Sequence, residues 1–383
     1  MPYYRRVGSV PAKRHTDHRS ATGQRYTEEL IGRHGFSGDS SLLYHRDSPS
    51  AVHDVRADDA EAVASRVELP LRPHHLRPAE LGTTPANPVQ GRQPLLRNAD
   101  VTISWVAADE SSPLTRSVVG DEIVYVQSGA AVLESVFGEV EVGAGDYVVV
   151  PAGVTHRWEN VDQLRGLIVE TTGVVAPPDR YLSSSGQFLE HSPYCERDLR
   201  APTSPLLREG ENVEVLIRSI AGGSWHTHAH HPFGVEGWDG CVYPWVLNIA
   251  DFEPVVGSIH QPPPVHQTFA APGVVICSFV PRLFDFHPDA IKVPYHHANV
   301  DSDEVLFYSD GDFMSRRGSG IGVESISFHP AGFIHGPQPG SVEASLDRDR
   351  TEETAVMIDT FRPLEMTDDA RSISDPGYLS SWG

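Results

Sequence analysis

The chain reads as an all-β protein with few helices, two antiparallel jelly-roll-like barrels in one polypeptide. Three observations predict this. Short runs rich in β-branched and aromatic residues, separated by Gly, Asp or Ser, recur from about 99 to 172 (VTISWVA, EIVYVQSG, AAVLESVFG, LRGLIVETTG) and again from about 213 to 365. No stretch carries a long helical period. A short signature of an acidic pair, a glycine, a Pro-x-Gly turn and a histidine occurs once in each β-rich half.

Taken in order, residues 1–174 form an N-terminal β domain whose first 68 residues hold a few strand-like pieces such as SSLLYHR. The Pro-rich stretch 69–88 reads as a connection, with His74 and His75 as solvated linker residues. Residues 175–212 are a Pro/Ser-rich connection, 213–365 the second barrel, and 366–383 a polar, loosely attached tail.

Composition narrows the function. Thirty basic against 52 acidic side chains give a net charge of −22, the wrong sign for a phosphate-binding surface, so nucleic acid is not an expected partner. No apolar run approaches the roughly 20 residues of a membrane helix, and no apolar segment follows the N-terminal charges as in a secretory signal. Three widely spaced cysteines (Cys195, Cys241, Cys277) argue against a disulfide scaffold and point to the cytoplasm. Twenty histidines point to metal chemistry.

The repeated signature is specific. Asp121-Glu122 through Gly129 is followed by Pro151-Ala-Gly-Val-Thr-His156, and Asp303-Glu304 through Gly311 by Pro330-Ala-Gly-Phe-Ile-His335. The Glu-to-His spacing is 34 residues in one copy and 31 in the other. Gly permits the left-handed turns, and strand alternation puts Glu and His on one inward face. This pattern resembles the cupin superfamily, and two copies imply a bicupin. Before Glu304, Val293-Pro-Tyr-His-His297-Ala-Asn299 puts His297 and Asn299 where a cupin offers its first ligands. His296, its neighbour, faces the other way. Two imidazoles and one carboxylate (His297, Glu304, His335) make the facial triad of non-haem Fe(II) oxygenases. The segment 112–120 before Glu122 has no histidine, so the first barrel is expected to be metal-free. A dense cluster, His226, His228, His230 and His231, lacks a matching carboxylate and is read as lining an approach or the surface.

Residues 231–340 resemble the homogentisate 1,2-dioxygenase family more closely. The resemblance rests on His231-Pro-Phe-Gly-Val-Glu-Gly-Trp-Asp-Gly-Cys-Val-Tyr-Pro-Trp245, on His260 and Val280-Pro-Arg282, and on the 293–299 segment, Glu304 and His335-Gly-Pro337. It implies Fe(2+) on His297, Glu304 and His335, a general base at His260 and a further pocket histidine at His329. Tyr295 and Asn299 fall among the substrate-contacting positions. Where the family has a pocket tyrosine that helps hold the substrate carboxylate, this chain has Phe313, and a nearby family lysine corresponds approximately to Arg316. The resemblance leaves homogentisate as one expected substrate, and the altered shell adds a different, larger dihydroxylated aromatic, as in a biosynthetic tailoring pathway. The expected activity is ring opening with O₂ in a homo-oligomer of a number the sequence leaves open. Two other readings share the motif: a cupin metalloenzyme of another class, an isomerase or hydrolase active without O₂, or a non-catalytic bicupin that binds a small molecule.

Overall fold

The computed structural model describes residues 3–59, 63–82 and 86–383. Among these residues the strands are short to medium and the two α-helices, Ser341–Ser345 and Asp368–Ser372, have five residues each, so the all-β reading holds. Part of the Pro-rich 69–88 stretch lies outside the described residues.

The first barrel is centred on Glu122–Ser135, which pairs antiparallel with Gly138–Gly143, Asp146–Val150 and His156–Thr171, the last of these also with Val101–Ala108. The second has the sheet order Gln267–Ala271, Val274–Phe279, Thr354–Thr360, Asp303–Asp310, Ile326–His329 and His74–Leu76. The two units repeat in register. Glu122 lies opposite Val150 on one side and Glu170 on the other, and Glu304 opposite His329 and Asp359. The preceding aspartates repeat too. Asp121 accepts from the Ala152 and Val175 amides (2.8 and 2.9 Å), and Asp303 from those of Ala331 and Leu364 (2.8 and 2.7 Å). Each clamps a Pro-Ala-Gly turn whose glycine, Gly153 or Gly332, is left-handed (φ 83° and 78°). One continuous apolar core runs through both units, and Trp105, Tyr125 and Phe307 pack together across the junction.

Strand pairing departs from the linear division of the sequence in four places. Glu211–Ser219 pairs with Thr115–Ser117 and Gly222–His230, and Trp245–Asn248 pairs with Asp146–Val150, so this stretch extends the first barrel's sheet. Val235–Gly240 joins Arg5–Gly8 and Ser40–His45 in a separate sheet. His74 and His75 are not solvated: His74–Leu76 is an edge strand paired with Ile326–His329, and both side chains are buried. Nor is the C-terminal segment a loose tail. Glu365–Thr367 pairs with Gln93–Arg97 and Ser65–Arg66, and Tyr378 is fully buried. In each case apolar or hydrogen-bonding positions too sparse to show a period find partners only through distant strands.

Candidate metal centre

Glu304 is the second residue of the strand Asp303–Asp310, turned inward by the pleat. His335 follows the Pro330-Ala-Gly332 turn that Asp303 clamps. His297 arrives from an irregular segment tied to His335 by a reciprocal backbone pair, N–H to O at 2.8 and 2.9 Å. The Gly332 amide donates to the Asn299 carbonyl (2.6 Å), fixing the same crossing. Alternation turns His296 out to solvent, against Gly336.

One potential ligand atom from each of His297, Glu304 and His335 lies within 4.8 Å of the others, the only such group of three among the described residues. His335 Nε2 is 3.2 Å from Glu304 Oε1 and His297 Nε2 is 3.7 Å from Oε2. Both imidazoles are oriented by the backbone two residues upstream: His297 Nδ1 lies 3.1 Å from the Tyr295 carbonyl and His335 Nδ1 3.0 Å from that of Phe333. A carbonyl only accepts, so both Nδ1 atoms carry a proton, which leaves both Nε2 atoms facing the carboxylate, where a bound metal would take their lone pairs. This donor set fits a divalent metal such as iron. Burial acts to raise the Glu304 carboxyl, but the imidazoles of His297, His329 and His335 that face it outweigh burial and hold it well below the usual range. The facing Glu304 carboxylate raises His297 against the opposing effect of burial.

The first barrel shows the same place filled differently. Thr115, seven residues before Glu122 as His297 is before Glu304, pairs with His156 as His297 does with His335. His156 Nδ1 keeps the carbonyl contact, 3.1 Å to Val154, while its Nε2 is buried without a partner. Glu122 is held by Arg92 through two contacts of 2.5 and 2.8 Å, and Glu170 by Arg218 at 2.6 Å. Guanidinium charge stands where the second barrel would carry a cation.

The centre opens on one side into a cavity of about 370 Å³ whose wall includes His260, Tyr295, His297, Asn299, Glu304 and Arg316. His260 and Tyr295 sit at its outer part, 40% exposed in side chain and 62% exposed respectively, with rings 5.1 Å apart. Asn299 Nδ2 reaches Glu304 Oε2 at 3.4 Å. Arg316 is buried, donating to Tyr308 Oη and the Gly336 carbonyl at 2.8 Å each.

Two expected site residues fall elsewhere. Phe313 does not line the cavity; it is buried in an apolar cluster with Cys277, Tyr308 and Met357, its backbone left-handed at φ 38°. The turn that follows it directs the ring into the core and Arg316 into the wall. His329 is behind the triad, not in the cavity: its Nδ1 is 3.0 Å from Glu304 Oε1, its Nε2 3.2 Å from Tyr378 Oη, and its ring stacks on His335. Burial pushes His329 down to about 3, so the ring is neutral. Of the histidine cluster, only His228 is buried, and no metal-holding group forms there.

Sequence reasoning missed Asp285, His266 and Tyr378. Asp285 Oδ2 is 3.9 Å from His260 Nδ1 on the cavity wall. His266, buried against Phe279, lines the same cavity with its Nδ1 unpartnered. No local motif marks any of the three.

Comparison with known proteins follows the same lines. Residues 106–170 match the family model described as "Cupin domain". The chain is 39% identical, over 100% of its length and 99% of the relative's, to a protein of Saccharolobus solfataricus named "Putative dioxygenase SSO1533". It is 25% identical over 98% of its length to the homogentisate 1,2-dioxygenase of Bradyrhizobium diazoefficiens, covering 90% of that protein. Among solved structures, the "Cupin 2 conserved barrel domain protein from Leptotrichia buccalis" aligns at a TM-score of 0.39 and 10% identity, covering 78% of this chain and all of that one.

Proposed function

Because the chain belongs to the homogentisate 1,2-dioxygenase-like family of bicupins, we propose that it is a non-haem Fe(II) dioxygenase that opens the ring of a dihydroxylated, hydroquinone-type aromatic. The observation that carries this reading is the convergence of His297, Glu304 and His335, the first two of them on the wall of a cavity large enough for a substituted ring. Ferrous iron held by these three side chains would supply Lewis acidity to ionise a phenol and electrons to activate O₂, with open positions for both.

The chain's own groups do the rest. The buried, ionised Glu304 and the two backbone-oriented imidazoles fix one face of the site, so that substrate can enter only from the cavity side. His260, at the cavity wall beside Asp285, is placed to take the proton of the ring hydroxyl that turns toward the centre. Tyr295 stands between His260 and His297 and bounds the ring's position edge-on. Arg316 presents cationic charge in the inner wall for an acidic substituent. His329, sealed behind Glu304, holds the carboxylate rather than touching substrate. Catalysis is then largely orientation of ring and O₂ in one pocket. A homo-oligomer in the cytoplasm belongs to the same reading.

The test is anaerobic purification, metal analysis and oxygen-uptake screening under Fe(II) against homogentisate, gentisate and bulkier hydroquinones. One O₂ consumed per ring opened, with both atoms of ¹⁸O₂ in the product, is expected. Turnover that persists without O₂ would move the protein to another enzyme class. Stoichiometric iron retained by His297→Ala or Glu304→Ala would remove the ligand assignment.

A further inference from the structure

The C-terminal segment packs against the far side of the metal centre from the cavity. Tyr378 is 1% exposed and belongs to the final turn Tyr378–Trp382. Its hydroxyl lies 3.2 Å from His329 Nε2, while His329 Nδ1 lies 3.0 Å from Glu304 Oε1. A carboxylate only accepts, so Nδ1 carries the ring proton, and Nε2 then accepts from the Tyr378 O–H. The imidazole is therefore pinned at both ends between two buried groups. Four residues on, Trp382 Nε1 donates to the carbonyl of Gly336, the residue after His335, at 3.1 Å. Gln338 Nε2 donates to Ser381 Oγ at 3.0 Å. The segment is anchored in turn by the His75 strand: the Asp375 amide donates to the His75 carbonyl (2.8 Å), Asp375 pairs with Arg77, and the rings of His75 and Tyr378 are 5.6 Å apart.

We infer that Tyr378 is a positioning residue of the metal centre, acting through His329 to fix which way the Glu304 carboxylate presents its oxygens to a bound divalent metal. With Oε1 engaged by His329, Oε2 is the oxygen turned toward His297 and Asn299. Neither Tyr378 nor His329 lines the cavity, so the effect is on the metal and not on contacts to substrate. The inference rests on the reading of His297, Glu304 and His335 as ligands.

The experiment uses full-length apoprotein and Co(II) as the probe, titrated in competition with a chelator and followed by its visible d–d bands. Tyr378→Phe keeps the ring and removes only the hydroxyl. Loss of such an outer partner is expected to weaken Co(II) binding by about 10-fold to 100-fold and to shift the bands. With Fe(II) saturating, KM for an aromatic substrate should stay within twofold of wild type. In a His329→Leu background, Tyr378→Phe should cost less than twofold more, because the hydroxyl then has nothing to hold. Should His329→Leu fail to fold by circular dichroism, His329→Asn is the second background. Wild-type Co(II) affinity in Tyr378→Phe, or an equal loss in both backgrounds, overturns the inference. Glu304→Ala separates it from its premise: if that variant binds Co(II) like wild type, the metal reading itself falls. If Glu304→Ala loses Co(II) while Tyr378→Phe does not, only the role of Tyr378 falls.

Discussion

The buried charges of the first barrel give a sharp prediction. Arg92 grips Glu122 through two contacts of 2.5 and 2.8 Å and touches Glu170 at 3.3 Å, with the side chains of Arg92 and Glu122 5% and 4% exposed. Arg92→Met removes the guanidinium and keeps most of the volume. It leaves Glu122 opposite Glu170 with only Arg218 nearby, 3.7 Å from Glu122 and 2.6 Å from Glu170. Breaking a buried pair from one side costs about 3–5 kcal/mol, because a charge stays buried without its partner. The surviving Arg218 puts the expected loss near the bottom of that range, about 3 kcal/mol. Removing both partners, as in Arg92→Met with Glu122→Met, should bring stability back to within about 1 kcal/mol of wild type, since no orphan charge remains.

Urea denaturation of the two variants and wild type, followed by fluorescence and circular dichroism together, measures this. The pH dependence has a definite sign. Burial acts to raise the Glu122 carboxyl, but Arg92 and its hydrogen bonds outweigh burial and hold it below its ordinary value. The wild-type pair therefore contributes stability above the unfolded carboxyl pKa of about 4.3, and loses it as pH falls through the lower folded value. In Arg92→Met the carboxyl is free to protonate, so the gap to wild type should narrow below about pH 4. A loss under about 1 kcal/mol for the single variant, or a double variant as unstable as the single, would refute the account of this site as guanidinium in a cation's place.

Four other outcomes follow from the same geometry. His260→Ala should keep wild-type iron content yet lose about 100-fold or more in turnover, the scale of a missing general base, read by oxygen uptake. Phe313→Tyr should not tighten any substrate, since the ring is in the core and away from the cavity; its hydroxyl would be buried among apolar neighbours at about 1–3 kcal/mol, visible in the melting curve while KM stays unchanged. Asp303→Asn leaves one of the two amides of Ala331 and Leu364 facing an NH₂ group and loosens the turn that aims His335, so metal affinity should fall severalfold. The matching change in the first barrel, Asp121→Asn, should lower stability while leaving metal affinity untouched.

What could be read in the sequence was what a short motif or a local period encodes. The Asp-Glu, Gly, Pro-Ala-Gly, His pattern works because its steric demands are local: a left-handed glycine, a clamped turn and strand alternation place Glu304 and His335 on one face wherever the pattern occurs. His297 was legible by its spacing to Glu304, although its position depends on a backbone bridge to His335 that no local rule encodes. Phe313 was misplaced because spacing from the ligand glutamate says how far along the chain a residue lies, not which way a left-handed turn points its ring. Asp285 and His266 reach the cavity from turns without periodicity, where sequence position carries no direction at all.

The first barrel makes the limit plainer. Its segment 112–120 reads as a site with its histidine missing, and that much is visible from composition alone. What replaces the ion is not visible, because Arg92, just before the strand Gln93–Arg97, and Arg218, in the strand Glu211–Ser219, lie 30 residues before and 96 residues after Glu122 and reach it only through the long-range pairing of the sheet. The same holds for Tyr378, 74 residues beyond Glu304 in a stretch whose polar composition reads as solvated. Buried ionisable groups must find partners, and in an all-β fold those partners are supplied by long-range pairing rather than by neighbours in the chain. The motif thus names the ligands, while the tyrosine behind His329 and the arginines that neutralise Glu122 are set by topology. A sequence comparison confined to the motif would treat the two barrels as intact and decayed copies of one site. The structure instead gives each carboxylate a full set of partners, imidazoles in one barrel and guanidiniums in the other.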